Sequence, residues 1–170
     1  GKCICFSEDD VRPMGRIAGG VRAIKLEKDD EVVAMELVEP GQELLVVTQK
    51  GFGKRTKATD YKVQVRGGKG LLTYDKAKFK KTGELVGAMV VDEDDDILLI
   101  SSEGVIIRIP AKEISRLGRA TQGVKIMNVA DEVNIIDMAK VIKDDELDGE
   151  EKTVILDGNS ELAKILMGAN

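Results

Sequence analysis

The plainest chemical capability in this chain lies in a short run of cations and glycines, Gln64-Val65-Arg66-Gly67-Gly68-Lys69-Gly70. Arg66 and Lys69 supply positive charge, and Gly67, Gly68 and Gly70 let a backbone come close to an anionic oxygen. Residues 50–81 around them hold eleven Lys or Arg against only Asp60 and Asp75. Lys54, Arg55, Lys57 and Lys62 stand ahead of the glycine loop, and Lys76, Lys78, Lys80 and Lys81 behind it. As a group, the loop and the cations ahead of it suit a grip on phosphates, which holds a nucleic acid without reading its bases. The competing reading is a solvated turn with solubilising charges. For Lys76–Lys81 that second reading is preferred.

The overall charge of −5 conceals this segment. From Lys143 onward there are eight acidic and three basic residues, whereas residues 1–142 hold 23 of each sign. A local basic face governs phosphate binding more than the total does. The stretch 143–170 reads as an acidic tail. It is either a solubilising end or an internal competitor for the basic face, with Thr153–Leu156 able to dock on a sheet.

Catalytic readings start low. The chain has no histidine, the usual proton carrier of hydrolytic sites. Gly51-Phe52-Gly53-Lys54-Arg55-Thr56 invites a nucleotide-binding reading, but a P-loop needs glycine at 48 and Ser or Thr at 55. Thr48 and Arg55 fail both, and Thr56 fails the last glycine of a dinucleotide fingerprint. Cys3 and Cys5 face one way if they lie on a strand, too strained for a disulfide and too few for structural zinc. They read as packing residues in a reducing cytoplasm. Tyr61 and Tyr74 read as packing or DNA-adjacent residues. No apolar run approaches the roughly 18–20 residues of a membrane span, no export signal is visible, and the start at Gly1 reads as a piece of a longer protein.

The elements that must carry these residues repeat. Arg16-Ile17-Ala18-Gly19-Gly20, Arg66-Gly67-Gly68-Lys69-Gly70 and Arg119-Ala120-Thr121-Gln122-Gly123 align at spacings of 50 and 53 residues, each followed by an apolar residue. Arg16 and Arg119 are thus counterparts of Arg66, and Arg22 and Lys125 form the next equivalent pair. Leu44–Val47 and Ile97–Ile100 lead into Thr48-Gln49-Lys50-Gly51 and Ser101-Ser102-Glu103-Gly104, and a second strand-like run follows each. This spacing predicts hairpins with glycine in the left-handed region. Val32–Met35, Leu85–Ala88 and Ile135–Met138 form a third repeated set. Ala111–Leu117 has room for a helical turn or two. The fold class is all-β, with propeller-like units of about 50 residues and about four strands. There are two complete units and a first one lacking its opening strand, a partial ring with exposed edges.

Asp10-Val11-Arg12-Pro13-Met14-Gly15-Arg16, Gly20-Val21-Arg22, Gly51–Thr56, Gly104–Ile109, Leu117-Gly118-Arg119 and Thr121–Val124 together resemble the DNA gyrase A C-terminal domain. The resemblance covers residues 1–142. It implies a β-pinwheel, a propeller-like ring whose blades exchange strands, with this chain as its later half. It further implies sequence-independent wrapping of double-stranded DNA in support of ATP-dependent negative supercoiling. The partners implied are the remainder of gyrase A, together with gyrase B, in an A2B2 complex. No catalytic residue, metal or cofactor is expected in this stretch, since ATP and magnesium belong elsewhere in the holoenzyme. The family's signature box reads Gln-Arg-Arg-Gly-Gly-Lys-Gly, so Val65 marks a degenerate copy from a later blade. The residues expected at DNA are Arg16, Arg22, Lys54, Arg55, Lys57, Lys62, Gln64, Arg66, Gly67, Gly68, Lys69, Gly70, Arg119 and Lys125. The C-terminal domain of topoisomerase IV and a protein-binding propeller are the alternatives; the 3% aromatic content speaks against the second.

Overall fold

Runs of Val, Ile and Leu meeting a glycine turn fold into antiparallel hairpins. In the computed structural model, which describes residues 1–141, β1 spans Lys2–Cys3, β2 Glu43–Thr48 and β3 Phe52–Lys57. β2 and β3 pair from Glu43↔Lys57 to Val47↔Gly53. Their turn is closed by Gly51, at φ +80°, whose N–H donates to the Thr48 carbonyl at 3.0 Å. The turn recurs between β6 (Asp96–Ser101) and β7 (Ile106–Pro110), where Gly104 sits at φ +79° and donates to the Ser101 carbonyl at 2.9 Å. The expectation of a hairpin with a left-handed glycine therefore holds in both places.

The second and third units then each make two further strands with different destinations. The long strands β5 (Leu85–Val91) and β9 (Ile135–Val141) fold back onto the first strand of their own hairpin, β2 and β6. The short strands β4 (Leu71–Leu72) and β8 (Val124–Lys125) reach back to the preceding unit, onto β1 and β3. The sheets are β1-β4, β5-β2-β3-β8 and β7-β6-β9. Only the sheet built on the middle unit has four strands among the described residues. Leu45, Val47, Val91, Ile97, Leu99, Ile114, Ile135 and Met138 form one buried cluster joining the two larger sheets. Burying each such Leu or Ile contributes about 1.5–3 kcal/mol.

The last glycine of the Arg-x-x-x-Gly motif makes the strand exchange possible. Gly123, at φ +79°, is so close to β3 that a Cβ would lie 2.5 Å from the Gly53 carbonyl oxygen, and Gly70, at φ +71°, would meet that of Cys3 at 2.7 Å. Gly123→Ala is therefore expected to cost about 2 kcal/mol or more, left-handed strain plus a backbone clash. A urea midpoint equal to wild type would show that the approach is not needed.

One expectation is corrected here. Val32–Met35 forms no strand, because the hairpin strand it would pair with does not occur among the described residues. Val32 is 62% and Met35 90% exposed, whereas their counterparts Ile135 and Met138 are 1% and 8%. Ala111–Leu117 supplies a single 3-10 turn, Ala111–Glu113, where Pro110 leads out of β7. One α-helical turn, Phe79–Thr82, lies instead in the lysine-rich stretch, ended by Gly83 at φ +71°. The acidic tail lies outside the described residues.

Candidate nucleic-acid interface

β3 carries Lys54 and Arg55, and both are withdrawn from solvent. Alternation along a strand sends Lys54 and Arg55 to opposite faces, yet both faces of β3 are covered. Lys54 is 0% exposed; its Nζ donates to the carbonyls of Thr73 at 2.8 Å and Gly118 at 2.9 Å, and also to that of Arg119. Burial, with a smaller push from the Arg119 charge, lowers its pKa from 10.5 to about 8. Arg55 is 4% exposed and pairs with buried Glu43 at 2.7 Å, while its Nε donates to the Ile114 carbonyl at 2.8 Å. Glu43 also accepts from Arg116, which bonds Glu93 at 2.6 Å. The main chain adds Arg55 N–H to the Ser115 carbonyl at 3.0 Å and Leu117 N–H to the Arg55 carbonyl at 2.8 Å. Lys54 and Arg55 fasten the third unit to the second and are buried away from the surface.

The glycine loop is likewise partly structural. Arg66 donates to the carbonyls of Asp10 at 2.9 Å and Arg22 at 3.1 Å, clasping the loop onto the first unit. Gly67 N–H donates to the Ala23 carbonyl, and Lys25 N–H donates to the Gly68 carbonyl at 2.8 Å. Gln64 N–H donates to the Cys5 carbonyl at 2.8 Å, and its amide oxygen is enclosed without a hydrogen-bond partner. Gln64, Arg66 and Gly70 thus serve the loop's own shape, as does the bond from the Gly67 N–H to the Ala23 carbonyl. What the clasp presents outward is Arg22, Lys25 and Lys69, all exposed and in no ion pair among the described residues. Lys25 was not legible beforehand, since only the loop's pairing with 22–25 brings it there.

A second group forms at the middle hairpin. The ammonium groups of Lys125 and Lys81 lie 5.0 and 5.6 Å from the centre of the Phe52 ring. The ring face attracts both cations and holds them near one another without a carboxylate. Lys81 therefore leaves the solubilising class, whereas Lys76 is consumed by Asp30 at 2.8 Å and Glu27 at 3.8 Å. The hydrogen bond to Asp30 raises the Lys76 pKa. Arg16, Lys57 and Lys62 are exposed; Arg119 is half-buried, its carbonyl spent on Lys54. Tyr61 and Tyr74 are buried packing residues, and burial raises the pKa of each.

Among the described residues most cations outside ion pairs lie on the first and second units, with Lys112, Arg119 and Lys125 those of the third. On the third, Arg108 is held by Asp96, Arg116 by Glu93 and Glu43, and Lys140 by Asp95 at 3.3 Å. The acidic loop Asp92–Asp96 supplies most of these partners. Cys3 and Cys5 are free thiols, half-buried. Among the described residues no acidic, Cys or His cluster is arranged to hold a metal, and no helix is long and apolar enough to cross a membrane.

The sequence matches the family of DNA gyrase C-terminal domains, beta-propeller, over residues 1–39, 42–92 and 95–142. It is similar to the DNA gyrase A protein of Mycolicibacterium smegmatis, 42% identical over 150 residues, 86% of this chain and 17% of that one. The DNA gyrase A protein of Thermotoga maritima is 44% identical over 143 residues, 83% of this chain and 17% of that one. That of Salmonella typhimurium is 39% identical over 166 residues, 96% and 19%. The chain thus spans under a fifth of these relatives. A solved DNA gyrase A C-terminal domain superposes with TM-score 0.77 at 32% identity, covering 84% of this chain and 48% of that one. A solved C-terminal domain of DNA topoisomerase IV superposes with TM-score 0.75 at 24% identity, covering 83% and 44%, which speaks to fold alone.

Proposed function

The chain belongs to the DNA gyrase C-terminal domain family, and from that premise we propose that it binds duplex DNA along the cations of its first two units and helps to wrap it. The observation that carries this reading is the unpaired set Arg22, Lys25 and Lys69, with Lys81 and Lys125 on Phe52. These groups hang from backbone already satisfied by neighbouring units, so they meet phosphates without unfolding anything. Arg16, Lys57, Lys62 and half-buried Arg119 extend the same surface. Bending a duplex of 20–30 base pairs costs on the order of 1–6 kcal/mol, and phosphate contacts repeated along an arc offset that.

In the whole protein this role is non-catalytic. Wrapping would present DNA to the breakage machinery of an A2B2 gyrase in the cytoplasm, with ATP and magnesium bound elsewhere. Double-stranded DNA is the direct partner of this chain. The topoisomerase IV reading keeps the same fold with a poorer sequence match.

A salt titration tests the proposal. Log K for any duplex should fall by about 0.9 per phosphate neutralised for each log unit of salt. Combining Arg22→Ala with Lys69→Ala should flatten that slope by up to about 1.8, equally for unrelated sequences. Affinity indifferent to salt, or a loss confined to one sequence, would rule out the backbone grip.

A further inference from the structure

One cluster joins two units at the surface. Phe52 opens β3, and Lys125 stands opposite it on β8, the strand that the third unit sends back. Opposite residues of an antiparallel pair project from the same face of the sheet. Lys81 arrives from the second unit itself, on the helical turn Phe79–Thr82. That turn is pinned to the β2–β3 hairpin: Lys50 N–H donates to the Thr82 carbonyl at 2.9 Å, and Glu84 N–H to Gln49 Oε1 at 3.0 Å. β8 is pinned to the same hairpin, with Ile126 N–H donating to the Gly51 carbonyl at 2.8 Å.

Both ammonium groups therefore reach one ring from hydrogen-bonded backbone, Lys125 at 5.0 Å and Lys81 at 5.6 Å from its centre. Both lysines are exposed, and neither is in an ion pair among the described residues. Two like charges beside one ring repel, and the ring's quadrupole offsets only part of that. An anion held between them offsets the rest. The first junction has no such cluster: Lys2 and Leu72 stand opposite one another there, and Lys2 is held by Glu27.

We propose that Phe52 is the positioning residue of a phosphate site shared between the second and third units, and that a DNA backbone phosphate held there by Lys81 and Lys125 clamps β8 onto β3. This rests on the duplex binding proposed for these units. Lys125 reaches the site only while β8 is docked. Duplex affinity and strand exchange are therefore linked, each strengthening the other by the same factor. Leucine at position 52 would keep an apolar side chain on the strand but remove the ring face, whereas tyrosine would keep that face.

The linkage is read at the Ile126 N–H, whose bond to Gly51 breaks when β8 leaves. Saturating duplex should slow its hydrogen exchange by about fivefold or more in the wild-type protein. Lys81→Ala should abolish most of that slowing, although residue 81 lies on the other unit and the duplex is still held at low salt by Arg22, Lys25 and Lys69. Phe52→Leu should do the same and weaken duplex binding about two- to fivefold, the scale of an exposed cation–π contact. Phe52→Tyr should restore both. In the Phe52→Leu background, Lys81→Ala should weaken binding less than it does in wild type. Duplex bound with Ile126 exchange unmoved, slowing that survives Lys81→Ala, or failure of tyrosine to rescue would each overturn the shared site while leaving the wider DNA grip intact. No duplex binding at low salt would overturn both readings.

Discussion

Arg55→Met is expected to lower the unfolding free energy by about 3–5 kcal/mol, the cost of orphaning a buried charge. Glu43, 3% exposed, would lose its buried partner and keep only Arg116, whose side chain is 42% exposed. The carbonyl of Ile114 would lose its donor in the same step. The sign of the coupling is the sharper test. Glu43→Gln added to Arg55→Met should recover part of the loss, because the charge left stranded is then removed with its partner. Denaturant unfolding of the four proteins completes the cycle. If the double variant is the sum of the singles, Glu43 and Arg55 do not act as a buried pair. In folded Arg55→Met the salt slope of duplex binding should equal that of wild type, since this guanidinium never reaches phosphate.

Lys54→Met is expected to cost about 3 kcal/mol, because the carbonyls of Thr73, Gly118 and Arg119 lose a shared donor and unmet buried acceptors cost about 1–3 kcal/mol each before relaxation. Methionine keeps the volume, so a cavity contributes little. The pH dependence carries a definite sign. Burial holds the folded ammonium's pKa at about 8 against an ordinary 10.5, so between those values the unfolded chain binds more protons. The contribution of Lys54 to stability therefore rises with pH across that window, and the gap between wild type and variant should widen there. Burial of Tyr61 and Tyr74 acts on both proteins alike and cancels in the difference. A gap independent of pH from 8 to 10.5 would show that residue 54 is not a buried titrating amine.

Lys54 and Arg55 also mark where a reading of sequence stops. Their types, beside a glycine loop and among eleven cations, are those of a phosphate site. Nothing local distinguishes them from Lys57, which is exposed three residues on. The difference comes from Gly118, Arg119 and Ile114, more than fifty residues later, whose backbone arrives over β3 and needs donors. The reverse holds for Lys81 and Lys25. One reads as a solubilising charge and the other carries no motif, but Phe52 holds Lys81 beside Lys125 and the Gly68 carbonyl holds Lys25 beside the glycine loop.

By itself the sequence determined the repeat, the hairpins and the family. Glycine at Gly51 and Gly104, and the Arg-x-x-x-Gly spacing, are local requirements of turns that only glycine meets cheaply. The glycines of Gln64–Gly70 were legible in the same way, as a loop approached closely by backbone. Tertiary structure alone decided what approaches. At Gly70 it is the Cys3 carbonyl, across the exchanged strand, and at Gly67 the Ala23 carbonyl, so the glycines join this loop to the first unit. Only the fold could also decide which cations are spent inside and which strands of one unit pair with the next. Both depend on where a distant unit sets its backbone donors and acceptors, and each buried polar group must find a partner there.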